Sequence, residues 1–248
     1  MRSRIYAIWL CCCSSLVAGQ PSLAAMVQTQ VDANQYTSFW IWGNIQSAAY
    51  LAKAKVLYIL QGEVRMIKGT QHSTLIPQGV SVLNIPQQKV WLVFRNHHLN
   101  WTDQELNIIL RRIKQWEHSG NHIQGIQIDF DARTNDLRQY ALFLAKLRKN
   151  LPLKYQLSIT GLLDWSNVQD QTTLDLLRKN IDELVIQTYQ GSTTIANYQA
   201  YLKQIAQLKL PYKIGLVQYG NWDSKLNSAL MKDQNFKGFV VFLLRNKK

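Results

Sequence analysis

Asp129 and Asp131 close the stretch Gln124-Gly-Ile-Gln-Ile-Asp-Phe-Asp131. On an extended chain, side chains two residues apart point the same way, roughly 6.5–7 Å from one another. Two carboxylates so placed repel, and one pKa rises toward the range that a general acid needs. Alternation sets Ile126, Ile128 and Phe130 on one face of this strand and Gln127, Asp129 and Asp131 on the other. With the apolar face against helices, the polar face looks into a barrel. Asp131 is then uppermost as general acid/base, and Asp129 tunes it. The plainer alternative has both aspartates pairing with Arg95 and capping loops.

Polar and aromatic residues gather at the ends of other strand-like runs. Trp42, Trp165, Tyr189 and Tyr219 offer flat faces on which sugar rings stack, since an aromatic side chain joins an apolar face to a polar edge. Arg95 and Arg245 are placed to bind substrate, Arg95 by holding a carboxylate or an anionic sugar. Gln127, Gln187 and Asp164 supply hydrogen bonds, with Gln127 and Tyr189 positioning the substrate. Trp91 and Trp116 read as core. His97 and His98 are adjacent and face opposite ways on a strand, so they do not share a metal. Ser158 and Thr160 have no histidine-based triad around them. The expectation is a site without metal or cofactor.

The elements that must position these groups alternate in type. Runs rich in β-branched and aromatic residues cover 38–42, 56–60, 90–95, 125–131, 156–160, 183–189, 213–219 and 238–245. Between most of them apolar residues recur at helical spacing, as in Leu106, Ile109, Leu110, Ile113 and Trp116. Thr102 and Glu105 form a capping box ahead of that helix, and Asp223 reads as the N-cap of the last one. Eight strands alternating with helices predict an α/β protein, a (β/α)8 barrel of the TIM type, with its active site at the C-terminal ends of the strands. Residues 61–89, with Gly62, Gly69, Pro77, Gly79 and Pro86, carry no amphipathic pattern. They predict an irregular or hairpin-containing excursion in place of the second helix. An open doubly wound sheet is the alternative, but neither common Gly-rich phosphate loop is present.

Residues 1–24 have the pattern of a secretory signal peptide: Arg2 and Arg4, a short apolar run, then Ser22-Leu-Ala24. An uncleaved membrane anchor is the other reading of this segment. Cleavage predicts a single domain over 25–248, periplasmic or secreted, with no membrane span of its own. All three cysteines, Cys11 to Cys13, fall within the leader, so the mature chain has neither disulfides nor thiolate chemistry. Of the 248 residues 28 are Lys or Arg and 15 Asp or Glu; loss of Arg2 and Arg4 leaves 26 basic residues, a formal +11. Such a surface favours anionic neighbours. No nucleic-acid motif accompanies the cluster Lys146, Arg148, Lys149 and Lys154. A content of 47% hydrophobic and 17% charged residues excludes a disordered chain.

The stretch Gly125-Ile-Gln-Ile-Asp-Phe-Asp-Ala132, the stretch Leu157-Ser-Ile-Thr-Gly-Leu-Leu-Asp-Trp165 and the closing Gly238-Phe-Val-Val-Phe-Leu-Leu-Arg245 together resemble a family of exported bacterial proteins catalogued as a domain of unknown function. More distantly, the first stretch resembles the signature of chitinase-like family 18 glycoside hydrolases. That resemblance implies a barrel with alternating acidic residues on strand four, ending in a proton donor. Asp129 matches an Asp of the signature and Asp131 stands where the donor Glu would be, one methylene shorter. Gln124 and Gln127 stand where that family has Asp. Tyr189 resembles the strand-six Tyr that contacts the reacting sugar, followed here by Gln190 instead of Asp. Phe242 lies near the Trp that floors the pocket. Those enzymes use the substrate's own acetamido group as nucleophile, and the Asp that steadies it is here the uncharged Gln127.

Three functions follow as expectations. The first is a glycoside hydrolase of the bacterial cell envelope with Asp131 as general acid/base. The second is a barrel that binds a polysaccharide or anionic glycan without cleaving it. The third is an envelope interaction protein that uses its basic surface.

Overall fold

The computed structural model describes residues 28–43, 49–70 and 72–244. The leader, Asn44 and Arg245 therefore lie outside the described residues. Strands β1 (Ser38–Ile41), β2 (Val56–Met66), β4 (Lys89–Asn96), β5 (His122–Asp129), β6 (Gln156–Gly161), β7 (Glu183–Gln187), β8 (Tyr212–Val217) and β9 (Phe236–Phe242) are all parallel. Each pairs with the next, and β9 returns to pair with β1, closing an eight-stranded barrel. The expected (β/α)8 architecture is the one observed.

The excursion at 61–89 is a hairpin. β2 overshoots the barrel, and its outer end pairs antiparallel with β3 (Ser73–Pro77), from Gly62↔Pro77 to Met66↔Ser73. Helices α1 (Asp103–His118), α2 (Leu137–Asn150), α3 (Gln171–Asn180), α4 (Tyr198–Ile205) and the short α5 (Leu226–Leu230) follow the later strands. The Thr102 hydroxyl accepts from the Gln104 N–H, and the Glu105 carboxylate takes the Thr102 N–H, so the expected capping box is made. Ile109, Ile113 and Trp116 bury the inner stripe of α1 against the barrel wall. Asp223 is not an N-cap. It ends a short strand, Asn221–Asp223, that pairs with Gln28–Gln30, and its carboxylate accepts from the Lys225 N–H ahead of α5.

Alternation divides the strand residues between two cores. Phe39, Leu57, Ile59, Leu92, Ile126, Ile128 and Ile159 face outward to the helices. Trp40, Tyr58, Leu60, Trp91, Val93, Val185, Val217 and Val240 fill the barrel. Tyr58 and Trp91 stack with centroids 5.9 Å apart. The Trp40 indole needs the space left by Gly215, where a Cβ would lie 3.2 Å from the ring.

β5 ends at Asp129, two residues earlier than the alternation implied. The Phe130 N–H goes to the Thr160 hydroxyl, not to a backbone carbonyl of the neighbouring strand, and the Ala132 N–H turns back to the Phe130 carbonyl. Asp131 therefore sits on the loop beyond the strand.

Candidate functional site

The lower barrel is filled by one connected polar network. Lys213 lies 3.0 Å from the Glu183 carboxylate and donates to the Tyr58 hydroxyl at 2.8 Å. Tyr58 and Ser158 both donate to Glu183, at 2.8 and 2.9 Å. The Gln127 amide donates to Ser158, and its oxygen accepts from the Trp40 indole at 2.6 Å. Gln127 is wholly buried and both ends of its amide are occupied. The expectation that it contacts substrate is corrected: it is an internal strut.

Above this layer, at the C-terminal ends of the strands, a cavity of about 660 Å³ opens. Asp129, from the tip of β5, reaches it beside Asp131 and Arg133 of the following loop. Arg95 comes from the end of β4, Gln187 from the end of β7, Tyr189 from just beyond it, and Phe242 from the end of β9. One wall is aromatic. Trp42 meets Phe242 edge to face at 5.3 Å, Phe242 stacks on Tyr189 at 5.5 Å, and Tyr189 abuts Trp40. The Arg95 guanidinium lies over the Trp42 ring, 5.2 Å from its centroid.

The facing wall is acidic. Burial, and next the charge of Asp131, raise the pKa of Asp129 from 3.8 to about 6. A hydrogen bond donated by Thr160, together with Arg95 and His97, opposes that rise without cancelling it. Of the two aspartates, Asp129 is the one whose pKa burial and its neighbour raise. Burial and the same two aspartates push the Tyr189 phenol well above its ordinary range, so it stays a neutral donor. Asp164 lines the cavity with one carboxylate oxygen bonded to Thr134 and the other buried without a partner.

Of the expected site residues, Asp129, Asp131, Arg95, Tyr189, Gln187, Trp42 and Asp164 are brought together around the cavity, as is Phe242. Trp165 is not among them. It is fully buried, donates its indole N–H to the Ala132 carbonyl and packs edge-on against Tyr140. Its place is under the loop that carries Asp131. Tyr219 also misses the cavity. It is 55% exposed, and its backbone turns with a φ of 64°, which carries it away from the barrel axis. Sequence reasoning missed Arg133 and Tyr201. Arg133 gave no signal beyond lying in the loop after Asp131. Tyr201 stands one turn after Tyr198 on α4 and reads there as part of an ordinary helical stripe. Among the described residues no group of three or more His, Cys, Asp or Glu is arranged to hold a metal ion, and no helix is long and apolar enough to cross a membrane.

Three comparisons bear on this arrangement. The profile of a family described as a domain of unknown function, DUF3142, matches residues 92–231, which take in the strands from β5 to β8 whole. No curated protein matches the sequence. Among solved structures, a xylanase–α-amylase inhibitor protein, XAIP-I, in complex with trehalose superposes with a TM-score of 0.53 at 13% identity, covering 83% of this chain and 92% of its own. A second inhibitor of this kind, XAIP-III, gives 0.51 at 12% identity, covering 84% and 93%. The spore cortex-lytic enzyme SleL of Bacillus cereus gives 0.42 at 17% identity, covering 80% of this chain and 58% of its own. At these identities the likeness to the two inhibitors is one of fold.

Proposed function

The chain belongs to the family described as domain of unknown function DUF3142, and from the site it carries we propose a carbohydrate-active barrel of the bacterial cell envelope that hydrolyses a glycosidic bond. The observation that carries this reading is a buried carboxylate, Asp129, set beside a second carboxylate in one cavity with an aromatic wall, where burial and that neighbour raise its pKa. A sugar ring lays its C–H face on Tyr189 and Phe242. Asp129 gives its proton to the leaving oxygen as the glycosidic bond breaks, and Asp131, the second carboxylate, takes a proton from the water that adds to the anomeric carbon. Substrate assistance by an acetamido group is disfavoured, because the amide of Gln127 is wholly engaged with Trp40 and Ser158.

The test is a pH–rate profile on whichever glycan a hydrolysis screen identifies. Asp129→Asn removes the transferable proton at nearly constant shape, and turnover is expected to fall by roughly 10²–10⁴-fold while binding persists. Asp131→Asn is expected to lower turnover too, because the second carboxylate is gone, and in the activity that remains to move the limb set by Asp129 to lower pH, because the charge that lifts that pKa is also gone. Full activity in Asp129→Asn would remove hydrolysis by this pair.

The same pocket supports a second reading, a glycan-binding barrel without turnover. It is favoured by the inhibitor found with trehalose on this fold and by the absence of charge at Gln127. Binding without cleavage on an array of envelope polysaccharides would select it. Under both readings residues 1–24 direct export, and mass spectrometry of the native protein is expected to find a mature N-terminus near Ala25. Retention on an anionic polysaccharide is expected to weaken steeply with salt.

A further inference from the structure

We infer that the glycan taken by this pocket is acidic, and that a sugar carboxylate sits on the Arg95 guanidinium where it lies against Trp42. The inference rests on the glycan reading above and narrows it to uronate-type sugars.

The two cavity arginines lie among carboxylates without pairing to them; of the others, Arg111 and Arg112 on α1 also make no ion pair among the described residues, Arg112 bonding Gln61 and Gln115 instead. Arg65, Arg138, Arg148 and Arg178 each lie against a carboxylate of the same chain. Arg95 and Arg133 line the cavity together with Asp129, Asp131 and Asp164, yet among the described residues neither forms an ion pair with any of them. Arg95 is half-buried, and the indole of Trp42 covers part of it. A guanidinium stripped of water on one face and left without an anion is costly, and a ligand carboxylate repays that cost. The indole beside it limits the freedom of the guanidinium, whose fork pairs with two oxygens of a planar acceptor.

Geometry couples this clamp to the sugar platform. Trp42, which carries Arg95, touches Phe242, and Phe242 stacks on Tyr189. A ring resting on the last two presents its substituents toward Arg95. The three aspartates on the cavity wall decide the charge of the ligand. They repel a dianion such as a phosphate ester more than a singly charged carboxylate. A neutral sugar would leave Arg95 as it now stands, without a partner.

The experiment measures binding of the mature protein to oligogalacturonate, oligomannuronate and oligoglucuronate, each beside its carboxyl-reduced neutral counterpart, with cello- and chito-oligosaccharides added. At least one uronate is expected to bind tenfold or more tighter than its reduced form. Arg95→Gln should cost that uronate about 10- to 100-fold and leave the reduced sugar within threefold. Lys149→Gln, an exposed change on α2, should alter neither, which separates the clamp from the general basic surface. Circular dichroism confirms that the variants are folded. Equal affinity for acidic and reduced forms, binding confined to neutral sugars, or a uronate preference intact in Arg95→Gln each overturns the inference while the glycan reading stands. Binding to no member of the panel overturns both.

Discussion

The two halves of the barrel interior hold comparable polar cargo and treat it in opposite ways. In the lower half, Glu183, Lys213, Tyr58, Ser158, Gln127 and Trp40 are joined by hydrogen bonds and an ion pair of 3.0 Å. At the mouth, among the described residues, buried Asp129 has a single side-chain bond, Asp131 and Arg95 have no ion pair, and one oxygen of Asp164 has no hydrogen-bond partner. Buried polar groups are stable when satisfied and costly when not. The lower network is therefore architecture. The mouth leaves Asp129 and one oxygen of Asp164 under-satisfied among the described residues, beside the exposed Asp131 and Arg133, the kind of arrangement in which functional sites are found.

The largest expected effect breaks the satisfied half. Glu183→Ala leaves Lys213 charged inside the barrel and takes the acceptor from Tyr58 and Ser158. A loss of about 3–5 kcal/mol in denaturant unfolding is expected, the usual cost of removing one partner of a buried pair. Replacing both charges, as Glu183→Leu with Lys213→Met, should restore most of that loss, because the uncompensated charge is gone. If the single and double variants are equally destabilised, the network contributes through packing and not through charge.

The opposite sign is expected at the mouth. Asp129 has a pKa near 6 in the folded chain against 3.8 as the ordinary value. Folding therefore favours its protonated form. Its contribution to stability is complete below pH 4, falls as the pH rises from about 4 to 6, and above that is a constant cost of about 3 kcal/mol. Asp129→Asn removes the charge, so at pH 8 the variant is expected to be more stable by up to that amount. The midpoint of thermal unfolding should rise by several degrees, with the gain shrinking as the pH falls from 6 toward 4. A variant that is less stable at pH 8 would mean that Asp129 is held by contacts as good as those of Glu183.

This contrast also separates what the sequence made legible from what it did not. Alternation along Gln124–Asp131 and the helical stripes were enough for the barrel, because periods of two and 3.6 residues reflect which faces are buried. They also drew Asp129, Arg95, Tyr189 and Trp42 to one end, since strand ends in this fold share a mouth. Gln127, Trp165 and Tyr219 were misplaced by the same logic, and Asp131 was put on the strand instead of on the loop after it. Gln127 shares its face with Asp129, but one step lower the interior is solid, and Trp40 and Ser158 occupy its amide. Trp165 looked available until Ala132 took its indole N–H. Asp131 was carried upward by alternation that stops at Asp129, where the Thr160 hydroxyl takes the next N–H. Hydrogen bonds between residues some 30 or more positions apart, as these are, leave no periodic trace in the chain.

The smallest effect sharpens the comparison at that hydroxyl. Thr160 donates to the Asp129 carboxylate at 2.9 Å and accepts from the Phe130 N–H, so it partly satisfies Asp129 as Thr134 does Asp164. Its donated bond favours the charged carboxylate and opposes the rise caused by burial and Asp131. Thr160→Val keeps the shape and removes both bonds. The pKa of Asp129 is expected to move above 6, and stability at pH 8 to fall by about 1 kcal/mol, the usual net worth of such a bond. At pH 4 the donated bond matters less, because Asp129 is protonated there in the folded state, and the difference from the parent should narrow to what the Phe130 N–H loses. Carbon-13 titration of the Asp129 carboxyl, read beside unfolding curves at the two pH values, checks both halves. An unchanged pKa in Thr160→Val would mean that the hydroxyl serves only to end β5, and that the state of Asp129 is set by burial and Asp131 alone.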